Sequence, residues 1–152
     1  MLISVIGGNR ADPAVLRAAE ELGRELAKRG LTVVCGGLGG VMEAVCRGAK
    51  EAGGETVGIL PGNRPSSANP YVGIPIATGI GLARNAIVAL SGEVVIAVDG
   101  KYGTLTEIGY ALNSGKKVIG IGTWDIPGVI PAANVEHALR LLDKLLHPDK
   151  RR

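Results

Sequence analysis

Aromatic residues are scarce in this chain: it has no Phe, three Tyr and one Trp, and Gln is missing as well. So few rings leave little to stack on bases, and no basic cluster in the body could displace counterions from a duplex, so nucleic acid is not expected as a partner. The net charge of +3 comes mostly from the tail, because Lys150, Arg151 and Arg152 face only Asp149 there, and the rest is nearly neutral. Two Cys (Cys35, Cys46) and two His (His137, His147) lack the spacing of a disulfide framework or a zinc cluster. Buried thiols and no metal site are the expectation. Apolar runs stop at about six residues against the roughly 20 that span a bilayer, and no basic leader precedes the first of them. A cytoplasmic protein with no membrane contact is expected. The 24 Gly follow no three-residue period, which excludes a collagen-like rod.

What the chain does hold is 46% hydrophobic against 20% charged residues over 152 positions, enough to fill the core of one domain spanning 1–152. Short β-branched runs alternate with helical patterns, the form of a mainly parallel sheet covered by helices on both faces. The class is therefore α/β, a three-layer sandwich. Strands are expected at 2–6, 31–35, 56–60, 74–78, 94–98 and 117–121. After the first strand comes a tight turn, with Asp12 as N-cap and Pro13 opening a helix whose Val15, Ala19, Leu22 and Leu26 form one apolar stripe. Helices follow near 41–52, 82–90 and 104–113, and a last one carries Val135, Ala138, Leu142 and Leu145 toward the sheet edge. Residues 61–73 hold three prolines and no periodicity, the mark of a functional lid.

In such a sheet ligands bind beyond the carboxyl ends of the strands, where loops enter helix N-termini. Three glycine-bearing loops fall there: Gly7–Gly8–Asn9–Arg10, Gly36 to Gly40, and Asp99 to Thr104. Glycine lets backbone approach a ligand, and the unpaired N–H groups of a first helical turn favour an anion, phosphate above all. Neither a G-x-G-x-x-G dinucleotide fingerprint nor a G-x-x-x-x-G-K-[ST] loop is present, so dehydrogenase and P-loop NTPase rank low.

The stretch GGLGGVMEAVCRGAKEAGGETVGILPG at 36–62, then Arg84, then GKYGTLTE at 100–107, resembles the LONELY GUY (LOG) and molybdenum-cofactor carrier superfamily, whose members once bore a lysine decarboxylase label. In LOG enzymes the second motif reads P-G-G-x-G-T-x-x-E; Gly100, Gly103, Thr104 and Glu107 match it, while Asp99 and Lys101 do not. The resemblance implies a Rossmann-like homo-oligomer, a dimer or higher, holding a phosphorylated small molecule with Gly7, Gly8, Gly36, Gly37, Gly39, Gly40, Gly100, Gly103 and Thr104. It further implies Arg84 and Glu107 as the catalytic pair of a phosphoribohydrolase, which needs no cofactor, or else a carrier that binds molybdenum cofactor or a nucleoside monophosphate. Departures from the enzyme pattern are Asn85 where LOG enzymes pair their Arg with Lys, and Glu43 where they have Gly. No Lys has a pyridoxal-phosphate setting, so decarboxylation finds no support.

Glu107 has two readings. Thr104–Leu105–Thr106–Glu107 fits the S/T-x-x-E capping box, and a carboxylate there could equally stabilise positive charge on ribose as a glycosidic bond breaks. The balance of departures favours binding of a phosphorylated pterin or nucleotide without committed catalysis, with N-glycosidic hydrolysis as the alternative.

Overall fold

The computed structural model describes residues 1–150. Seven strands form one sheet: β1 (Leu2–Gly7), β2 (Thr32–Cys35), β3 (Thr56–Leu60), β4 (Ile74–Ala77), β5 (Val94–Val98), β6 (Lys117–Ile121) and β7 (Val129–Ala132). Their order is β4-β3-β2-β1-β5-β6-β7, and every neighbouring pair is parallel. Six of these strands follow from the β-branched runs. The seventh lies in a stretch read from sequence as turns only, because Pro131 interrupts it. An edge strand tolerates that proline, since one side of its backbone has no ladder to complete.

Strand alternation decides which helices cover which face. Ile3, Val5, Val33, Ile96 and Ile119 point to one side, against α1 (Pro13–Lys28), α2 (Val41–Glu51) and α5 (Val135–Leu146). Ile6, Val34, Val95, Ala97 and Val118 point to the other, against α3 (Arg84–Ser91) and α4 (Tyr102–Asn113). The outcome is a Rossmann-like three-layer α/β arrangement. Helix α5 packs on the face of α1 and α2, against α1, β5, β6 and the edge strand β7, which is the edge of the sheet where it was expected. No helix of the described residues is long and apolar enough to cross a membrane.

Helices α1 and α2 approach until backbone meets backbone, which two glycines permit. A Cβ on Gly23 would run into the carbonyl oxygen of Val45, and one on Gly48 into that of Glu20. The same face of α1 buries Ala19, Leu22 and Leu26 completely. Residues 61–73 do not stand free as a lid: Asn69 donates its side-chain amide to Leu38 O at 2.9 Å and its backbone N–H to Gly37 O at 2.9 Å.

Gly48→Ala is expected to destabilise the protein by about 1–3 kcal/mol through overpacking. Gly109→Ala, on the exposed side of α4 with no atom within 4 Å of the added carbon, is expected to stabilise it by about 0.5–1 kcal/mol. Urea unfolding of the two variants should shift the midpoint in opposite directions.

Candidate functional site

The strand order reverses between β1 and β5, and there the chain leaves β1 for α1 on one face and β5 for α4 on the other. A crevice opens at this switch point, as the doubly wound topology requires. It is a cavity of about 470 Å³. The turn after β1 contributes Gly7, Gly8, Asn9 and Arg10, and the start of α4 contributes Lys101, Gly103, Thr104 and Glu107. Leu82, Arg84 and Asn85 close a third side, with Leu38 and Met42 beneath.

The sequence-predicted residues divide accordingly. Gly7, Gly8, Gly103, Thr104, Arg84 and Glu107 line the cavity together, although 100 residues separate the first from the last. Gly36, Gly37, Gly39, Gly40 and Gly100 are absent from the lining and serve close packing around it. A Cβ on Gly36 would sit 2.7 Å from Arg84 Nη2 and from Met42 Sδ, and one on Gly37 2.6 Å from Leu60 Cδ2. Gly40, at φ +61°, lies against Gly8 O, and Gly100, at φ +93°, against the Thr104 side chain. Three amides of the Gly36–Val41 stretch are already used within the chain, Gly37 N–H donating to Cys35 Sγ at 3.4 Å. Gly39 N–H donates to Asn9 Oδ1 at 2.8 Å, and Val41 N–H donates to Gly8 O at 3.0 Å. The α2 entrance is thus stitched to the first loop, and α4 offers the open helix end.

Helix α4 begins two residues earlier than the sequence suggests. Tyr102 is its first residue and Lys101 its N-cap, so Thr104 sits inside the first turn and cannot cap it. The capping box therefore does not form, and Glu107 is released from the structural role it was given as one of two readings. Inside the helix Thr106 turns its hydroxyl back to Gly103 O at 2.6 Å, a bond that helical geometry permits three residues away. Helix geometry leaves the N–H groups of Tyr102, Gly103 and Thr104 without intrahelical acceptors, and Leu105 N–H is the first to close a turn, onto Lys101 O.

Arg84 is 5% exposed, and its three guanidinium nitrogens are all engaged. Nε donates to Ile59 O at 2.9 Å, Nη2 to Gly36 O at 3.4 Å, and Nη1 to Asn85 Oδ1. Asn85 in turn donates through Nδ2 to Thr106 Oγ1 at 3.1 Å, tying the start of α3 to that of α4. Asn85, a departure from the enzyme pattern, is therefore the neutral tether that orients Arg84. Burial pushes the Arg84 guanidinium pKa down, partly offset by the acidic neighbours Glu107 and Cys35. Glu107 is 6% exposed and its pKa is pushed up to about 8, chiefly by burial, with Arg84 opposing and Cys35 adding to the rise. A carboxyl in this setting is mostly protonated at neutral pH.

Other departures settle by position. Glu43 faces a separate groove of about 280 Å³ between α1 and α2, with Glu20, Arg17 and Arg47, so its carboxylate does not oppose an anion in the main cavity. Asp99, at φ +51°, lies outside the cavity lining and begins the turn, its carbonyl accepting Thr123 Oγ1 at 2.7 Å. Cys35 and Cys46 are buried free thiols, as expected, but their sulfurs are 3.5 Å apart, a proximity the sequence did not signal. The hydrogen-bonded sulfur of Cys35, and then burial, hold the Cys46 thiol far above its ordinary range. Asn9, Arg10, Leu38, Met42 and Leu82 were not singled out as site residues. Asn9 and Arg10 were legible as part of the first loop; Leu38, Met42 and Leu82 carry no motif, and only the chain path brings them here. No cluster of three metal-ligating side chains occurs among the described residues.

A solved structure from Rippkaea orientalis, its molybdenum cofactor binding protein, is 36% identical and superposes with a TM-score of 0.90, covering 95% of this chain and 96% of its own. An uncharacterized protein of Archaeoglobus fulgidus is 45% identical over 118 residues, 78% of each chain. The cytokinin riboside 5′-monophosphate phosphoribohydrolase LOG of rice, Oryza sativa subsp. japonica, is 34% identical over 95 residues. Those residues are 60% of this chain and 39% of the rice protein. With a family match that runs through residues 1–146, the chain belongs to the SLOG cluster4 family, within the LOG and molybdenum-cofactor-carrier-like superfamily.

Proposed function

We propose that this protein holds a small phosphorylated ligand, a pterin of the molybdenum-cofactor type or a nucleoside monophosphate, and does not cleave it. The observation that carries this reading is the state of the Arg84–Glu107 pair. Hydrolysis of an N-glycosidic bond needs a carboxylate, to stabilise positive charge on the ribose and to take a proton from the attacking water. Glu107, with a pKa of about 8, is mostly the neutral acid at pH 7. Arg84 is anchored by Ile59 O, Gly36 O and Asn85 through one donor on each guanidinium nitrogen, which fixes its orientation and leaves one N–H on each Nη toward the cavity. Similarity to the Rippkaea orientalis protein over 95% of the chain supports the same reading.

The donor set suits a phosphorylated ring system. The first-turn amides of α4 at Gly103 and Thr104, with Lys101 and Arg10 at the rim, present positive charge to a phosphate. Leu38, Met42 and Leu82 offer apolar surface to a ring. Molybdenum cofactor, when bound, would bring its own redox chemistry; the residues of this chain position the phosphate and shelter the ring. The second reading, a phosphoribohydrolase that releases free base and ribose 5-monophosphate, rests on the rice relative and on the shared cavity position of Arg84 and Glu107. It would require Glu107 to lose its proton first.

A homo-oligomer, and a cytoplasmic location where adjacent thiols stay reduced, complete the proposal. Ile74 and Ile76 on β4, Ile80 and Leu82 beyond it, and Ile87 and Leu90 on α3 are each at least 40% exposed. So much apolar surface on successive elements marks a contact face, and a second copy would cover it. Leu82 belongs to both the face and the cavity, so the partner copy would close the mouth.

Three outcomes test these statements. Calorimetric titration at pH 7 with AMP should show binding without release of adenine; adenine release that Glu107→Ala abolishes would establish the hydrolase instead. The folded-state pKa of Glu107 lies above its ordinary 4.5, so the folded protein binds more protons than the unfolded chain between pH 4.5 and about 8. Stability should therefore fall as pH rises through that window, by up to about 1.4 kcal/mol per pH unit, and Glu107→Gln should flatten the decline in urea titrations. Leu90→Asp should lower the mass measured by light scattering to that of one chain.

A further inference from the structure

We infer that a second subsite lies just outside the cavity, an aromatic shelf of Tyr102 and Trp124 that receives the base of a ligand extended through a second phosphate, a dinucleoside pyrophosphate. The inference rests on the phosphate reading above and extends it from a mononucleotide to a dinucleotide-type ligand. Three of the four Phe, Tyr and Trp rings in the chain are tyrosines, and Tyr102 is 77% exposed at the first position of α4. Its centroid is 6.0 Å from that of Trp124, with the planes inclined at 37°. Trp124 follows β6 and reaches the same end of the sheet; half-buried against the core beneath α4, it backs the shelf while Tyr102 forms the open face.

The shelf is built rigidly. Trp124 Nε1–H donates to Lys101 O at 2.9 Å, and Thr123 Oγ1 donates to Asp99 O at 2.7 Å, so the turn entering α4 is strapped to the turn after β6. Trp124, fixed in this way, gives Tyr102 a rigid backing ring, so that stacking on a base orders one side chain only. Lys101 joins the two subsites: it lines the cavity, precedes Tyr102 and forms no ion pair among the described residues. Its ammonium can neutralise a phosphate lying between cavity and shelf. The cavity itself shows a ligand-directed group, because Glu107 is 94% buried by its 6% exposure, lines the wall and makes no side-chain hydrogen bond among the described residues. One half of an extended ligand would occupy the cavity, its pyrophosphate would cross Lys101 and the α4 amides, and the other half would lie on Tyr102.

Trp124 is the only tryptophan, so its fluorescence reports the shelf directly. Purified full-length protein is titrated with AMP and with diadenosine pyrophosphate, following both heat and Trp emission. The pyrophosphate should quench Trp124 and bind about tenfold tighter than AMP, a margin typical of one stacked base. Tyr102→Ala should erase that margin and Tyr102→Phe should keep it, with AMP affinity the same in both. Equal affinity of wild-type protein for the two compounds overturns the inference and leaves the phosphate site standing. Loss of AMP binding in Tyr102→Ala, or a change in its oligomeric mass, also overturns it, by making Tyr102 a general structural or interface residue. Failure of the wild-type protein to bind either compound removes the phosphate reading first, and the shelf with it.

Discussion

Arg84 is a buried cation held by backbone carbonyls, and the shape of the cavity depends on that arrangement. A charge 5% exposed must satisfy its donors or become very costly, and here they find Ile59 O at the end of β3, Gly36 O at the end of β2, and Asn85. These bonds fix the start of α3 against the carboxyl ends of two strands. They also fix how close the Gly36 loop may come, since a Cβ on Gly36 would occupy the space of the guanidinium. Asn85 extends the same network to Thr106 and so to the first turn of α4.

The electrostatic consequence reaches Glu107. It faces the same cavity as Arg84, yet burial outweighs the guanidinium and keeps the carboxyl neutral around pH 7. A neutral Glu107 adds no negative charge beside the α4 amides, Lys101 and Arg10, so the cavity presents positive potential to an anion. A cation at the position of Asn85 would have altered both the charge and the tether.

Loop glycines divide between two jobs that look identical in sequence. Gly103 leaves open space at the mouth, whereas Gly40 and Gly100 are needed for positive φ and close backbone approach, and Gly39 gives its amide to Asn9. The stitch from α2 to the first loop takes amides that an isolated glycine loop would offer to phosphate, which moves the open helix end to α4. The α1–α2 contact uses glycine for a third purpose, the passage of one helix backbone against another at Gly23 and Gly48.

Six strands, the five helices and the end of the sheet where the cavity opens were legible from the chain, because β-branched runs and the apolar stripe of α1 are local patterns that packing then reinforces. The motif GKYGTLTE likewise placed Gly103, Thr104 and Glu107 together without any coordinates. Strand β7 was not legible, since Pro127 and Pro131 together gave its stretch the look of turns, whereas β4 carries the single Pro75; Pro75 and Pro131 both stand in edge strands, and edge position is a property of the whole sheet. Nor could the sequence assign Glu107, because a capping box depends on which residue starts the helix, and the N-cap is Lys101, whose carbonyl is bonded by Trp124 from beyond the motif. Local order is written in neighbouring residues; the protonation of Glu107, the commitment of Arg84 and the partition of the glycines arise from groups far apart in the chain that only folding brings within a few ångströms.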